Sequence, residues 1–181
     1  KGNDSWLPFK SVRLIKNGVV NAMGLPNPGF FKWRDYYKPR YKLIVSIAPE
    51  SIEEANLMAS SLSMMSLKNK EDRGIIAIEY NMSCPNFRYK DELKIIGALR
   101  KYALPIIVKL SYENCKDMSR KLEGEVDVFN LINSLKWKTI FPDKVSPLKH
   151  LGNGGVSGDI IKDYAREALA SVGSITKVPI I

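Results

Sequence analysis

The chain has 181 residues, 45% of them hydrophobic and 26% charged, with a formal net charge of +9. This composition predicts a soluble globular domain, and no apolar run approaches the ~20 residues that cross a bilayer. Two cysteines and one histidine exclude a disulfide framework, most zinc sites and histidine-dependent triads.

In chain order, "KGNDSWLPFK" at the start has no apolar signal-peptide core, and the expected location is the cytoplasm. "NAMGLPNPG" (21–29) is a turn-rich loop. Trp33, Tyr36, Tyr37 and Tyr41 lie close to Pro39, a pattern that suits packing of a loop or short helix better than a platform for stacked bases. The basic residues, in stretches such as "KWRDYYKPRYK" and "LKWKTIFPDK", are scattered rather than gathered into one stripe. They predict a solvated basic surface with no nucleic-acid partner, compatible with attraction of an anionic metabolite.

From residue 43 onward short apolar runs alternate with helical stretches. The strands are expected at "LIVSIA" (43–48), "GIIAIEY" (74–80), "PIIVKL" (105–110), "DVFNLIN" (127–133) and "VPII" (178–181). Helices are expected between them at 50–68, 90–103, 114–124 and 158–173. Strands rich in Ile and Val and apolar on both faces suit a parallel sheet covered by helices, the pattern of an α/β protein. Ser51 stands three residues before Glu54, the spacing of a capping box. Ile52, Ala55, Leu57, Ala59 and Leu62, the Met64–Met65 pair, and Ile95, Ile96 and Leu99 are expected in the core. No internal repeat or flexible linker is apparent, and one domain is expected.

The carboxyl ends of parallel strands are where α/β proteins place their chemistry. Here those ends read "SIAP", "EYNMSCPN", "VKLSY" and "INS". Lys109, inside "IIVKLS", must sit at the rim of the core or be paired, although a strand-end lysine can also simply extend to solvent. Cys84, flanked by Asn81, Ser83 and Asn86, has a thiol whose ordinary pKa of roughly 8.5 is close enough to neutrality for activation. Cys115 reads as a small buried residue and His150 as a loop residue.

"NAMGLPNPG" (21–29), "NMSCPN" (81–86), "VKLS" (108–111), "INS" (132–134) and "GNGGVSG" (152–158), in that order, resemble the FMN-dependent dihydroorotate dehydrogenase family, class 1. The resemblance implies a (β/α)8 TIM-type barrel. About five to six of the eight strand–helix units would be present, as a single partial FMN-binding barrel domain over 1–181. The N-terminal strands and the C-terminal phosphate-binding strands of the family would be missing.

The same resemblance implies oxidation of (S)-dihydroorotate to orotate with hydride transfer to FMN. Cys84 would be the catalytic base and Lys109 the cation beside the flavin. Asn81, Asn86, Asn133 and Ser134 would surround the pyrimidine ring, with Asn21, Met23, Gly24 and Leu25 at the orotate carboxylate. Asn81, Lys109, Gly154 and Gly155 would contact the cofactor, and no metal is implied. The electron acceptor would be fumarate, in a homodimer, or an NAD-linked iron–sulfur flavoprotein subunit, in a heterotetramer. Two alternatives stay open: a non-catalytic flavin-domain fragment, and an oxidoreductase similar to dihydropyrimidine dehydrogenase.

Overall fold

The structure, a computed structural model, describes residues 8–38, 40–67, 74–83 and 91–181. The elements in order are α1 (Pro8–Ser11), β1 (Val12–Ile15), β2 (Gly18–Asn21), α2 (Phe30–Tyr36), β3 (Lys42–Ile47), α3 (Ile52–Leu67), β4 (Gly74–Asn81) and α4 (Glu92–Leu99). There follow β5 (Ile106–Lys109), α5 (Cys115–Lys121), β6 (Val128–Asn130), β7 (Leu135–Lys136), α6 (Trp137–Ile140), β8 (Gly155–Ser157) and α7 (Lys162–Gly173). They fall into two compact units, one of Lys1–Tyr37 with Asn133–Glu167 and one of Lys38–Ile132 with Ala168–Ile181.

The second unit is α/β. Its sheet has the order β3-β4-β5-β6, and every pair in it is parallel. Residues near the chain end extend the pairing, with an isolated parallel bridge between Phe129 and Ile180. Parallel neighbours require crossover connections, and α3, α4 and α5 supply them.

One sheet face carries Ile78, Tyr80, Ile106, Val108 and Phe129, paired in register across β4, β5 and β6 and fully buried. Ala55, Ala59 and Leu62 of α3 and Ile96 and Leu99 of α4 are buried with them. Each such large aliphatic side chain contributes about 1.5–3 kcal/mol when removed from water. The pairing of β3 with β4 skips Ile76, since Leu43 opposes Ile75 and Ile44 opposes Ala77. This irregularity turns the Ile76 side chain outward, and it is partly exposed.

The start of α3 is capped as its sequence predicts. Ser51 Oγ accepts from the Glu54 N–H at 3.2 Å, and the Glu54 carboxylate accepts from the Glu50 N–H at 2.9 Å. Two expected core residues are corrected: Leu57 is 49% and Met64 58% exposed. They stand seven residues apart, two full turns of helix, on the side away from Ala55, Ala59 and Leu62.

The first unit is built on an antiparallel sheet of order β1-β2-β8-β7, which the sequence reading did not anticipate. A tight hairpin joins β1 to β2, with Asn17 at φ 60°, a conformation asparagine tolerates better than most residues. The "GNGGVSG" segment, which is not among the expected strands, contributes β8, which pairs with both β2 and β7. Val20, Trp137, Leu148 and Val156 form the unit's core. Along α2 and its C-cap the rings of Phe30, Trp33 and Tyr37 follow one another at centroid separations of 6.1 and 5.2 Å, whereas Tyr36 and Tyr41, expected to pack with Trp33 and Tyr37, are exposed.

Candidate functional site

Register in the parallel sheet brings three polar side chains into one row at the carboxyl ends of the strands. Asn81 of β4 pairs with Lys109 of β5, and Lys109 pairs with Asn130 of β6. Parallel partners share a face, and this face is opposite the one that packs on the helices. Lys109 is half-buried.

Asn81, 8% exposed, is held by the turn that follows it. Its Oδ1 accepts from the Ser83 hydroxyl at 2.6 Å and from the Ser83 N–H at 3.2 Å. A backbone N–H can only donate, so the carboxamide orientation is fixed by chemistry, with the oxygen turned toward Ser83. The turn is tied to β5 because the Met82 N–H donates to the Lys109 carbonyl at 3.0 Å. Asn114, at the start of α5, joins the same structure. Its Oδ1 accepts from the Ser111 N–H at 2.8 Å while its Nδ2 donates to the Met82 carbonyl at 3.4 Å. Cys84 and Asn86, which follow directly, lie outside the described residues.

Beneath this row is a second polar layer. The Glu79 carboxylate accepts from Ser46 Oγ of β3 and from Asn130 Nδ2 of β6, each at 2.6 Å. Glu79, Ser46, Asn130, Ser83 and Asn114 were not among the site residues expected from sequence. The available signal was a glutamate inside the otherwise apolar strand "GIIAIEYN".

The remaining candidates belong to the first unit. Asn21, at the end of β2, pairs in register with Gly155 of β8 and makes a long contact from Nδ2 to its carbonyl at 3.5 Å. The chain then runs through Met23 to Gly24 (φ 67°) and Leu25 (φ 55°), and a left-handed leucine carries a steric cost of about 1–2 kcal/mol. Asn27 braces this loop, donating to the Leu25 carbonyl at 2.7 Å and accepting from the Gly29 N–H at 2.8 Å. Asn133 Oδ1 accepts from the Ser134 N–H at 2.9 Å.

A Cβ on Gly155 would collide with the Ser134 side chain, and one on Gly154 (φ 75°) would lie 2.6 Å from the Asn21 carbonyl oxygen. Close packing within the unit therefore accounts for these two glycines. Asn21, Ser134, Gly154 and Gly155 are brought together in the first unit, and Asn81 and Lys109 in the second.

A lysine paired in register with an asparagine on one sheet face supplies a cation and an amide donor, groups whose chemistry fits a flavin's N1–C2=O edge, which offers acceptors and gains negative charge on reduction. Among the described residues no group of three or more His, Cys, Asp or Glu side chains could hold a metal. No helix among them is long and apolar enough to cross a membrane.

Comparison with known proteins matches residues 8–181 to the family model for dihydroorotate dehydrogenase. The catalytic subunit of dihydroorotate dehydrogenase B (NAD(+)) from Desulforamulus reducens is 32% identical over 93% of this chain and 60% of its own length. The corresponding subunit from Bacteroides fragilis is 29% identical over 96% of the chain and 61% of its own length. Dihydroorotate dehydrogenase A (fumarate) from Lactobacillus helveticus is likewise 29% identical, over 96% and 61%. The chain thus spans about 60% of the length of these curated relatives. Matched along almost all of its described length, and similar to both the A and B forms, the chain belongs to class 1 of the dihydroorotate dehydrogenase family, a family of TIM-barrel flavoproteins.

Proposed function

We propose that the protein to which this chain belongs oxidises (S)-dihydroorotate to orotate in pyrimidine synthesis, with FMN as the bound cofactor. The observation that carries this is the register row Asn81–Lys109–Asn130 at the strand ends, placed directly before "SCPN". FMN, when bound, accepts the hydride that leaves C6 of the substrate. The chain's own residues do the rest.

Cys84 takes the proton from C5 on its sulfur, leaving the C5=C6 double bond of orotate. A positioned base of this kind contributes about 10²–10⁴-fold. Lys109 holds positive charge where negative charge grows on the cofactor. Asn81 acts there as a donor, because its oxygen is already taken by Ser83. Asn86, Asn133 and Ser134 supply further polar contacts to the pyrimidine ring, and Asn21 with the backbone of Met23, Gly24 and Leu25 receives the substrate carboxylate. Gly154 and Gly155 contribute backbone near the cofactor.

Relatives named for fumarate and for NAD(+) both match. These names support a reading in which electrons pass onward to fumarate in a homodimer or to an NAD-linked iron–sulfur flavoprotein subunit in a heterotetramer, with the cytoplasm as the proposed location.

The test is anaerobic stopped-flow reduction of the FMN-loaded protein by dihydroorotate. Cys84→Ala should bind flavin normally and reduce it about 10²–10⁴-fold more slowly. Reduction at the wild-type rate would refute the assignment.

A further inference from the structure

The layer beneath the candidate site holds a feature that the reaction as proposed leaves unused. Glu79 projects from an apolar strand onto the same sheet face as Lys109, since Asn81, two residues further along β4, is the register partner of Lys109. Its two carboxylate oxygens are each engaged at 2.6 Å, one by Ser46 and one by Asn130. These are short, charge-assisted bonds. They reach from β3 across β4 to β6, so the carboxylate leans over β5, the strand that carries Lys109. Strand spacing and rise place the Glu79 and Lys109 Cα atoms roughly 8 Å apart on the diagonal.

Placing a carboxylate on a sheet face next to Ala77, Ile107 and Val128 costs solvation unless its charge is used or fully bonded. Here it is bonded on both oxygens, and the neighbouring strand carries Lys109 on the same face. The bond from Asn130 also fixes that amide, because a carboxylate can only accept. Asn130 therefore turns its nitrogen to Glu79 and its oxygen the other way, and it does so directly opposite Lys109.

We infer that Glu79 is a positioning residue of the redox centre: its carboxylate clamps Ser46 and Asn130 across the sheet and supplies negative charge that partly offsets Lys109, and it would thereby tune the reduction potential of a bound flavin. The inference rests on the flavin-dependent function proposed above, for which Lys109 is the cation at the cofactor. Removing the negative charge must stabilise the reduced, more negative flavin and raise its potential.

Two measurements test this. In the FMN-loaded protein, Glu79→Gln preserves the shape of the side chain and should raise the ratio of reduced to oxidised flavin at a fixed potential about tenfold, a 29.6 mV rise for a two-electron couple. Ser46→Ala removes one hydrogen bond and no charge, and should change that ratio by less than about threefold on the same scale. An unchanged or lowered potential in Glu79→Gln, or an equal shift in Ser46→Ala, would overturn the electrostatic role.

The second measurement needs neither flavin nor a variant. The Asn130 side-chain amide protons of the wild-type chain should exchange with solvent at least tenfold more slowly than those of an exposed asparagine such as Asn17. Exchange at the exposed rate would overturn the clamp, and it remains decisive if Glu79→Gln does not fold. A full-length wild-type protein that shows the slow exchange yet binds no FMN would overturn the functional reading and the redox role together, with the clamp intact.

Discussion

Asp127 should contribute more to stability through one backbone hydrogen bond than through its visible ion pair. Its Oδ2 accepts from the Ile106 N–H at 2.7 Å, at the first residue of β5, while Arg100 approaches its other oxygen at 3.4 Å. Arg100 and Asp127 are 38% and 40% exposed, and an exposed pair of this kind is worth about 0.2–1 kcal/mol. Ile106 itself is fully buried, and leaving its N–H without a partner costs about 1–3 kcal/mol.

Asp127→Ala should therefore destabilise by about 2–3 kcal/mol. Asp127→Asn keeps an acceptor for Ile106 and should cost at most about 1 kcal/mol. Arg100→Met loses the ion pair and the bond from Nε to the Glu125 carbonyl, 2.7 Å long, and should cost about 1 kcal/mol. Urea unfolding followed by far-UV circular dichroism measures all three, with an unchanged slope marking a pure stability effect. Added salt should weaken only the Arg100 contribution. If Asp127→Asn proves as costly as Asp127→Ala, the charge outweighs the hydrogen bond and the reasoning fails.

Ser83→Ala removes the shorter of the two bonds to the Asn81 oxygen and leaves the one from the Ser83 N–H, so orotate affinity, read by isothermal titration of the FMN-loaded protein, should fall by at most about tenfold, and Ser83→Thr should recover most of it. Gly155→Ala forces its methyl group against Ser134 and should destabilise by about 1–3 kcal/mol in urea. Ser51→Ala removes the cap of α3 and should cost about 1 kcal/mol by the same assay. Burial pushes the Cys115 thiol above its ordinary pKa, which makes the folded state hold the thiol proton more tightly than the unfolded state. The resulting stability is present at neutral pH and is lost as pH rises past the ordinary thiol range into the raised one. In a Cys84→Ser background, Cys115 should react with a disulfide reagent slowly when native and rapidly in urea, and equal rates would contradict its burial.

The parallel sheet was legible because its strands are covered on both faces and so read as unbroken apolar runs, as in "PIIVKL" and "GIIAI". The capping residues of α3 were legible for a local reason: Ser51 and Glu54 act within one turn. The antiparallel sheet was not. Its strands are at most four residues long, and the glycines that let β8 pack against Asn21 and Ser134 look like loop residues when their neighbours are unknown. Leu57 and Met64 were placed in the core because composition within α3 marks more apolar positions than its buried side uses. Glu79 escaped for another reason. Its partners are 33 and 51 residues away in sequence, and only strand register brings them together.

The distribution of aromatic residues between the two units makes their folding separately observable. The tryptophans among the described residues, Trp33 and Trp137, both belong to the first unit. Trp137 is buried, its ring tilted 40° to that of Phe141 at a centroid separation of 4.5 Å and bonded through Nε1 to the Lys144 carbonyl, so its emission should shift to the red on exposure to water. The second unit contains α3, α4 and α5 and dominates the helical dichroism. The red shift of Trp137 therefore follows one unit, and ellipticity chiefly the other. If residues 1–181 fold as the single domain proposed from sequence, the two signals trace one superimposable transition; a tryptophan signal that moves at lower denaturant would identify the antiparallel unit as the one that opens first.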